Sequence, residues 1–299
     1  MNRLVSLTVV KQSLKRFMPL KRSLKQSLFF AIPSKHKQLF SLPYLSHFTF
    51  IHLLLTLLIP AVYNLAKNFD LDVSLFERLI NSGFPYAMLQ NQHRMRPEIA
   101  RALMPHFYND LRDDPSVFQY PNVTGMAKNF LFINHNEREM LDEDGLSHLN
   151  LFEGEYAVRL ARYLLQQGHA PSQITILSTY AAQSTFIKNR AFQLLGKDYK
   201  VRIKVLDNFQ GDESDILILS LVRSHPGQTI GFLNVANRVC VALSRAKRGF
   251  YCLGNIDFFA SKCRLWMDIK TSLKDSNALS NNLEIVSRNH GNSQASRWE

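Results

Sequence analysis

The feature that most constrains the fold is an alternation of short, continuously apolar segments with longer amphipathic ones. "ITILST" and "DILILSLV" are apolar almost without interruption, as strands buried on both faces of a sheet are. "NLFEGEYAVRLARYLLQQG", just before the first of them, has helical periodicity and ends at a glycine. Strands that alternate with helices form right-handed βαβ units, which predicts an α/β fold whose parallel sheet has helices on both faces.

The same patterns predict the other elements. The predicted strands are 129–134, 174–179, 201–206, 215–222 and 249–254. The predicted helices are 73–83, 97–104, 150–168, 181–195 and 232–247. Ligands of parallel sheets bind beyond the carboxyl ends of the strands, so we expect functional residues at that edge.

The positive charge of the chain is concentrated near its beginning. The formal net charge is +12, yet residues 1–69 contain ten Lys or Arg and no acid. The remaining 26 basic residues face 24 acidic ones. The total charge therefore gives no argument for nucleic-acid binding by the main domain.

Residues 1–62 do not resemble the rest of the chain. A basic, Ser- and Leu-rich stretch is followed by "HFTFIHLLLTLLIPAV", which is shorter than the roughly 20 residues of a membrane span, so no membrane association is expected. We favour an extension outside the folded domain, in a cytoplasmic or nuclear protein. A mitochondrial transit peptide is the alternative. The predicted organisation is this extension, a folded lobe at 63–272 and a polar tail at 273–299.

The three cysteines form no CxxC pair, and the ten histidines form no HExxH or zinc-finger pattern. No metal site is therefore expected. The cysteines are expected to pack as small apolar residues in a reducing compartment.

Three segments carry candidate chemistry. "LQNQHRMRPEIA" places Arg94 near the start of a helix, and "VLDNFQGDESDILILSLVRS" places Glu213 after a tight turn. "NRVCVALSRAKRG" places Arg238 and Arg245 two helical turns apart, on one face. The residue types alone leave two interpretations open at each position. Arg94 is solvated or functional, Glu213 caps a turn or is functional, and Arg245 binds an anion or snorkels to solvent.

Two further basic residues follow Arg245. Lys247 and Arg248 are expected to be solvated at the end of the predicted helix, where the helix dipole favours positive charge.

Together these segments resemble the second motor lobe of Upf-like superfamily 1 helicases. The family pattern runs LNxQYRMHPxI, TPYxxQ, VDxFQGxExDxI with a downstream VRS, and RxNVALTRAK. This chain has, in the same order, "LQNQHRMRPEI", "STYAAQ", "LDNFQGDESDI", "LVRS" and "NRVCVALSRAK". The resemblance covers about residues 64–259 and implies a RecA-like lobe. "NLAKNFDLDVSLFERLI" resembles the subgroup with NFX-type zinc fingers, which is associated with RNA binding and small-RNA-linked silencing.

The resemblance implies roles for particular residues. In this family ATP and Mg²⁺ bind between two lobes, and arginines of the second lobe reach the γ-phosphate. The residues that match these arginines are Arg94 and Arg245. The residues implied to contact or sense the nucleotide are Gln210, Gly211, Glu213 and Arg238. The residues implied to contact single-stranded RNA are Ser178, Tyr180, Gln183 and Arg223. Small-RNA silencing proteins are implied as further partners.

The sequence departs from the family pattern at a few positions. His93 replaces a tyrosine, Thr179 a proline and Cys240 an asparagine, which puts individual nucleic-acid contacts in doubt. The 299 residues contain no GxxxxGK[ST], the loop that cradles ATP phosphates, and "MLDEDGL" is read as a loop rather than as a Mg²⁺-holding carboxylate pair. We therefore expect that the first lobe is missing and that the isolated chain is inactive as an ATPase. The alternative hypothesis is a catalytically inactive RNA- or protein-binding fragment.

Overall fold

The structure is a computed structural model that describes residues 75–209, 211–286 and 293–296. The predicted extension at 1–62 and the candidate nucleotide sensor Gln210 lie outside these described residues.

The described residues form strands and helices in alternation. The strands are β1 (Asn91–Gln92), β2 (Arg112–Asp113), β3 (Phe130–Asn134), β4 (Met140–Leu141), β5 (His148–Leu149), β6 (Ile174–Ser178), β7 (Arg202–Val205), β8 (Ser214–Ser220), β9 (Ala246–Gly254), β10 (Leu279–Ser280), β11 (Leu283–Val286) and β12 (Ser293–Ser296). The helices are α1 (Leu75–Asn81), α2 (Pro97–Leu103), α3 (Leu151–Gln166), α4 (Ala181–Leu195), α5 (Ala236–Leu243), α6 (Ile256–Lys262) and α7 (Arg264–Asp275).

Six of the strands form one parallel sheet in the order β10-β3-β9-β8-β6-β7. Alternate residues of the central strand β8 face two separate apolar layers. Leu217 and Leu219 pack in the layer with α2, α5, α6 and α7, whereas Ile216 and Ile218 pack in the layer with α3 and α4. The prediction of an α/β fold with a parallel sheet and helices on both faces is confirmed.

The predicted helix 232–247 was too long. Helix α5 ends at Leu243, and β9 begins at Ala246. Arg245 therefore lies in the turn between the two elements rather than on a helix. It does not share a helical face with Arg238, contrary to the expectation from the spacing.

The segment "MLDEDGL", predicted as a loop, is part of a hairpin. Strands β4 and β5 pair in antiparallel register, and Asp142 accepts hydrogen bonds from the backbone N–H groups of Leu146 and Ser147. Asp142 therefore caps the turn of this hairpin. Helix α3 follows directly, with Asn150 as its N-cap.

The fold continues beyond residue 272, the predicted boundary of the lobe. Leu273, Ala278 and Leu283 are buried, and β10 pairs with β3 at an edge of the sheet. The stretch after residue 272 is mostly polar, but these few apolar side chains pack into the core: Leu273 and Ala278 into one layer and Leu283 into the other. No helix within the described ranges is long and apolar enough to cross a membrane.

Candidate functional site

The predicted site residues divide into two groups, one where the parallel strands begin (the amino edge) and one where they end (the carboxyl edge). At the amino edge, where β8 and β9 begin, lie Arg94, Gly211, Glu213 and Arg245. At the carboxyl edge, where the strands end, lie Ser178, Tyr180, Gln183, Arg223 and Arg238. The seven residues of β8 separate the two edges by about 20 Å. The group that contains Arg94 and Arg245 therefore does not lie at the carboxyl edge, where ligands of parallel sheets usually bind.

Arg94 at the amino edge is positioned by a loop that Gln92 holds in shape. The side-chain oxygen of Gln92 accepts from the backbone N–H groups of Arg94 (3.0 Å) and Met95 (2.8 Å). The Arg94 side chain then donates from Nε to Glu213 Oε2 (3.0 Å) and from Nη1 to the carbonyl of Ser244 (3.2 Å). This half-buried arginine is thereby fixed beside the turn that carries Arg245.

Glu213 joins two basic residues at this edge. Its second carboxylate oxygen lies 2.5 Å from Lys247 Nζ. Burial alone would raise the pKa of Glu213, but the hydrogen bonds from Lys247 and Arg94 outweigh it and lower the pKa. Lys247 and Arg248 were expected at a helix end in solvent; both lie in β9, where Lys247 pairs with Glu213 and Arg248 approaches Asp215 (3.9 Å).

Arg245 is the most unusual residue of the site. It is only 3% exposed, so it does not snorkel to solvent. Its Nη1 donates to the carbonyl of Asp212 (3.3 Å), while Nε and Nη2 are buried and have no hydrogen-bond partner among the described residues. Burial and the nearby Arg94 lower its pKa to about 10. Buried donors without partners are rare and costly, so this guanidinium is suited to receive an anion.

Arg96, two residues after Arg94, provides a contrast. It is also buried, at 7% exposed, but both of its Nη atoms are hydrogen-bonded and Nε lies 3.6 Å from Glu98. The acceptors, at 3.1–3.2 Å, are the carbonyls of Tyr120, Pro121 and Arg248 and the side chain of Asn122. Arg96 therefore holds the loop against the sheet, and its side chain has little capacity left for a ligand.

Cys240 replaces the asparagine of the family pattern beside the amino-edge group. Its thiol lies 3.7 Å from the Tyr108 hydroxyl, and burial raises the pKa of both groups. Both side chains are therefore neutral near pH 7 and give Arg245 no counter-charge, so that the nearby acids that favour its charged form are Asp212 and Glu213. Sequence reasoning missed Tyr108, because no periodicity links it to the motifs.

Ser178 and Gln183, expected to contact RNA, are buried at the carboxyl edge. The Ser178 hydroxyl donates to the carbonyl of Tyr180 (3.0 Å). The Gln183 amide donates to Asn150 O (3.0 Å) and Ser220 Oγ (3.1 Å), and its oxygen accepts from Asn150 N–H (2.8 Å). Both side chains hold together the ends of β6, β8 and α3.

Arg223, also expected to contact RNA, is 4% exposed and surrounded by partners. Its Nε donates to Glu139 (3.0 Å), Nη1 donates to His148 Nε2 (2.9 Å) and to the Tyr180 hydroxyl (3.4 Å), and Nη2 donates to Gln228 (2.8 Å). Burial lowers the pKa of His148, and Arg223 lowers it further, so the imidazole accepts as a neutral group. Glu139 and His148 come from the hairpin β4–β5 and the residue before it, which sequence reasoning did not connect to the site.

Val222, the residue before Arg223, has a strained backbone conformation. Val222 has φ 72°, which a β-branched residue rarely adopts. Its N–H donates to the buried carboxylate of Glu153 (2.9 Å), and its carbonyl accepts from the Asn150 side chain (3.3 Å). Glu153 also accepts from Ser220 Oγ (2.5 Å) and pairs with His135 (3.0 Å). The start of α3 thus maintains the strained turn at the end of β8.

Arg238 lies with the carboxyl-edge group, away from Arg245. Its guanidinium carbon is 5.0 Å from the centre of the Phe232 ring, and that ring is 5.1 Å from the ring of Tyr180.

Within the described ranges, no three or more His, Cys, Asp or Glu side chains are grouped so that they could hold a metal ion.

Comparisons with known proteins agree with this architecture. Residues 71–257 match the AAA domain family. The chain is 46% identical over 229 residues to NFX1-type zinc finger-containing protein 1 of Mus musculus, covering 77% of this chain and 12% of the relative. It is 38% identical over 211 residues to the Schizosaccharomyces pombe helicase required for RNAi-mediated heterochromatin assembly 1, covering 69% of this chain and 21% of the relative.

A third relative is more distant. The chain is 34% identical over 226 residues to the Arabidopsis thaliana regulator of nonsense transcripts 1 homolog, covering 72% of this chain and 18% of the relative. The chain thus spans between 12% and 21% of the length of these three relatives. By its matched domain, its ordered motifs and its relatives, the chain belongs to the AAA domain family, as the second RecA-like lobe of an Upf-like superfamily 1 helicase with NFX1-type relatives.

Proposed function

We propose that this lobe is the second motor lobe of an ATP-dependent RNA helicase, and that Arg245 and Arg94 stabilise the γ-phosphate during hydrolysis. The observation that carries the proposal is the buried Arg245 guanidinium, whose Nε and Nη2 have no partner among the described residues. ATP with Mg²⁺ would supply the phosphoryl group, held by a first lobe that carries a GxxxxGK[ST] loop.

The two arginines fit phosphoryl transfer because negative charge spreads over the oxygens of the transferred group. Donors that are already fixed in a poorly solvated place stabilise such charge without reorganisation. Arg245 is fixed by burial and by the bond to Asp212 O, and Arg94 is fixed by Glu213 and the Ser244 carbonyl. Glu213 forms its ion pairs with Arg94 and Lys247, so it holds Arg94 close by without pairing directly with Arg245.

Strand β8 gives the lobe a direct connection between its two edges. Glu213 precedes the strand, and the strained Val222 and the buried Arg223 follow it. We propose that nucleotide binding at the amino edge changes the RNA contacts at the carboxyl edge, and that this strand carries the change. Single-stranded RNA is the proposed substrate, and silencing proteins are the proposed partners, as the name of the Schizosaccharomyces pombe relative suggests.

The cellular place of the protein is proposed to be the cytoplasm or nucleus. Mitochondrial import directed by residues 1–47 is the alternative. A fusion of these residues to a fluorescent protein tests it: import into mitochondria would contradict the first assignment.

The proposed function is tested in a two-lobe protein. The segment of the mouse relative that matches this chain is replaced by residues 63–286, and RNA-stimulated ATP hydrolysis is compared with that of the unmodified relative. We expect hydrolysis by the chimera and its loss in Arg245→Ala and Arg94→Ala variants. Arg264→Ala is the matched control, because the Arg264 side chain is 88% exposed. A chimera that hydrolyses ATP equally well without Arg245 would contradict the proposal.

A second candidate function is RNA binding without hydrolysis. The 299 residues contain no GxxxxGK[ST], so hydrolysis by this segment needs a first lobe, whereas RNA binding does not. An inactive chimera together with salt-sensitive RNA binding by the 299-residue chain would support it.

A further inference from the structure

The chain turns sharply where β8 ends. The N–H of Arg223 donates to the carbonyl of Leu221 (2.8 Å), which closes a three-residue γ-turn with Val222 at its centre. A γ-turn with a positive central φ is rare and strained, and Val222 has φ 72°. Glycine would adopt this φ without strain, yet the position holds a fully buried, β-branched residue. Strained backbone persists only where its surroundings enforce it, and such sites are often functional.

The carboxylate of Glu153 enforces this turn. Glu153 is fully buried, and its Oε2 accepts from the Val222 N–H (2.9 Å) and from the Ser220 hydroxyl (2.5 Å). Its Oε1 lies 3.0 Å from His135 Nε2. Because His135 Nδ1 accepts from the N–H of Glu137 (3.1 Å), the ring proton is on Nε2, which donates to Glu153. Three donors therefore occupy this carboxylate, and two of them belong to the end of β8 and the turn.

Glu153 is not placed to touch ATP or RNA. Its side chain is buried and its oxygens are occupied, and the seven residues of β8 separate the turn from the amino edge by about 20 Å. The strand nevertheless connects the two places, because at its start the N–H of Ser214 donates to the carbonyl of Arg245 (3.0 Å). A shift of β8 that follows from an anion at Arg245 therefore reaches the turn that Glu153 holds.

We propose that Glu153 is a positioning residue for RNA-stimulated hydrolysis. Its carboxylate keeps Val222 at positive φ, so that the end of β8 and the turn move as one unit when nucleotide binds. The residues after the turn are held by Glu139, which accepts from Arg223 Nε (3.0 Å) and from the N–H of Ser224 (2.7 Å). The inference rests on the proposed function, in which β8 carries the change between the two edges.

The first test uses the two-lobe chimera and measures the ratio of ATP hydrolysis with and without single-stranded RNA. Glu153→Gln keeps the size of the side chain but places an NH₂ group against one of the three donors. We expect this variant to lower the ratio roughly tenfold, because hydrogen bonds to a charged group are lost. Glu155→Gln is the matched control. Its carboxylate accepts from Arg159 and Arg190 instead of from the turn, so this variant should keep the wild-type ratio.

Val222→Gly separates positioning from a simple loss of stability. Glycine adopts a positive φ without strain, so the turn no longer depends on the carboxylate. The double variant Glu153→Gln/Val222→Gly should therefore recover most of the ratio, although it also loses a buried valine side chain and regains no hydrogen bond. An unchanged ratio in Glu153→Gln, or a loss that Val222→Gly leaves uncorrected, would overturn the inference.

The second test needs no activity. Hydrogen exchange of the amides of Val222 and Arg223 is followed by mass spectrometry in the 299-residue chain. Glu153→Gln should speed this exchange roughly tenfold, and Glu155→Gln should leave it unchanged. If Glu153→Gln does not fold, Glu153→Asp, which keeps a shorter carboxylate, takes its place in both tests.

The two tests separate the inference from the proposed function. An inactive wild-type chimera would contradict the proposed function, and with it a role of Glu153 in hydrolysis. Faster exchange in Glu153→Gln would then still support Glu153 as the residue that holds the turn. Equal exchange in the wild type and in Glu153→Gln would overturn the inference even if the chimera hydrolyses ATP.

Discussion

Replacing Arg245 by methionine should make the folded chain more stable, the opposite of the usual effect of changing a buried residue. Methionine keeps much of the volume and the apolar stem of arginine. It removes a buried charge whose Nε and Nη2 have no partner among the described residues. Replacing buried charged groups with apolar residues of similar volume is often neutral or stabilising.

The magnitude follows from the lowered pKa of Arg245. A fall from 12.5 to about 10 corresponds to roughly 3 kcal/mol by which the site disfavours the charged form. Loss of the hydrogen bond to Asp212 O removes about 1 kcal/mol of stability. We therefore expect Arg245→Met to increase the free energy of unfolding by about 1–3 kcal/mol, and Tm by about 2–4 °C for each kcal/mol.

Thermal and urea unfolding of the wild type, Arg245→Met and Arg96→Met measure the effect. Arg96 is the matched control, because it is also buried but both of its Nη atoms have acceptors. Arg96→Met should lower the free energy of unfolding by about 3 kcal/mol or more, since it leaves several buried acceptors unpaired. A loss of stability in Arg245→Met similar to that in Arg96→Met would refute the view that Arg245 is strained for want of an anion.

Three further predictions concern the carboxyl edge. Glu139→Ala should lower the free energy of unfolding by about 3–5 kcal/mol in urea, because Arg223 stays buried without its counter-ion; a change near zero would contradict the buried pair. Because the pKa of His148 is lowered, the folded state binds fewer protons than the unfolded state, and stability falls as pH drops below about 6.5. The urea midpoint should fall less between pH 7 and pH 5 in His148→Gln than in the wild type. An equal fall in both proteins would count against a role of His148 in this pH dependence. Gly231→Ala should lower stability by about 1–2 kcal/mol through its positive φ and the Tyr180 contact, and unchanged melting would exclude that crowding.

The sheet and its helices were predictable because their signals are local. Runs such as the one ending at Ser220 are apolar over a whole strand, and α3 has a regular period and a clear glycine end. The error after Leu243 also has a physical cause. The apolar period of α5 continues past that residue, but Ala246 pairs with Ser214, a non-local contact that local periodicity does not contain.

The two edges of the site were less predictable than the motifs themselves. The resemblance grouped Arg94, Glu213 and Arg245, and the structure brings these three together. It did not indicate that α5 carries Arg238 to the other edge, because that depends on how the helix crosses the sheet. The burial of Arg223 likewise depends on Glu139, which lies 84 residues away in the chain.

The most direct test of the central claim is a single-turnover measurement of γ-phosphate release by the two-lobe chimera with bound RNA, with and without Arg245→Ala. Nucleotide affinity is measured in parallel, so that loss of binding is separated from loss of chemistry. We predict that the substitution slows phosphate release by roughly 10³- to 10⁵-fold, as for other arginine fingers, while nucleotide affinity changes far less. Phosphate release at the wild-type rate by the Arg245→Ala chimera would contradict the account.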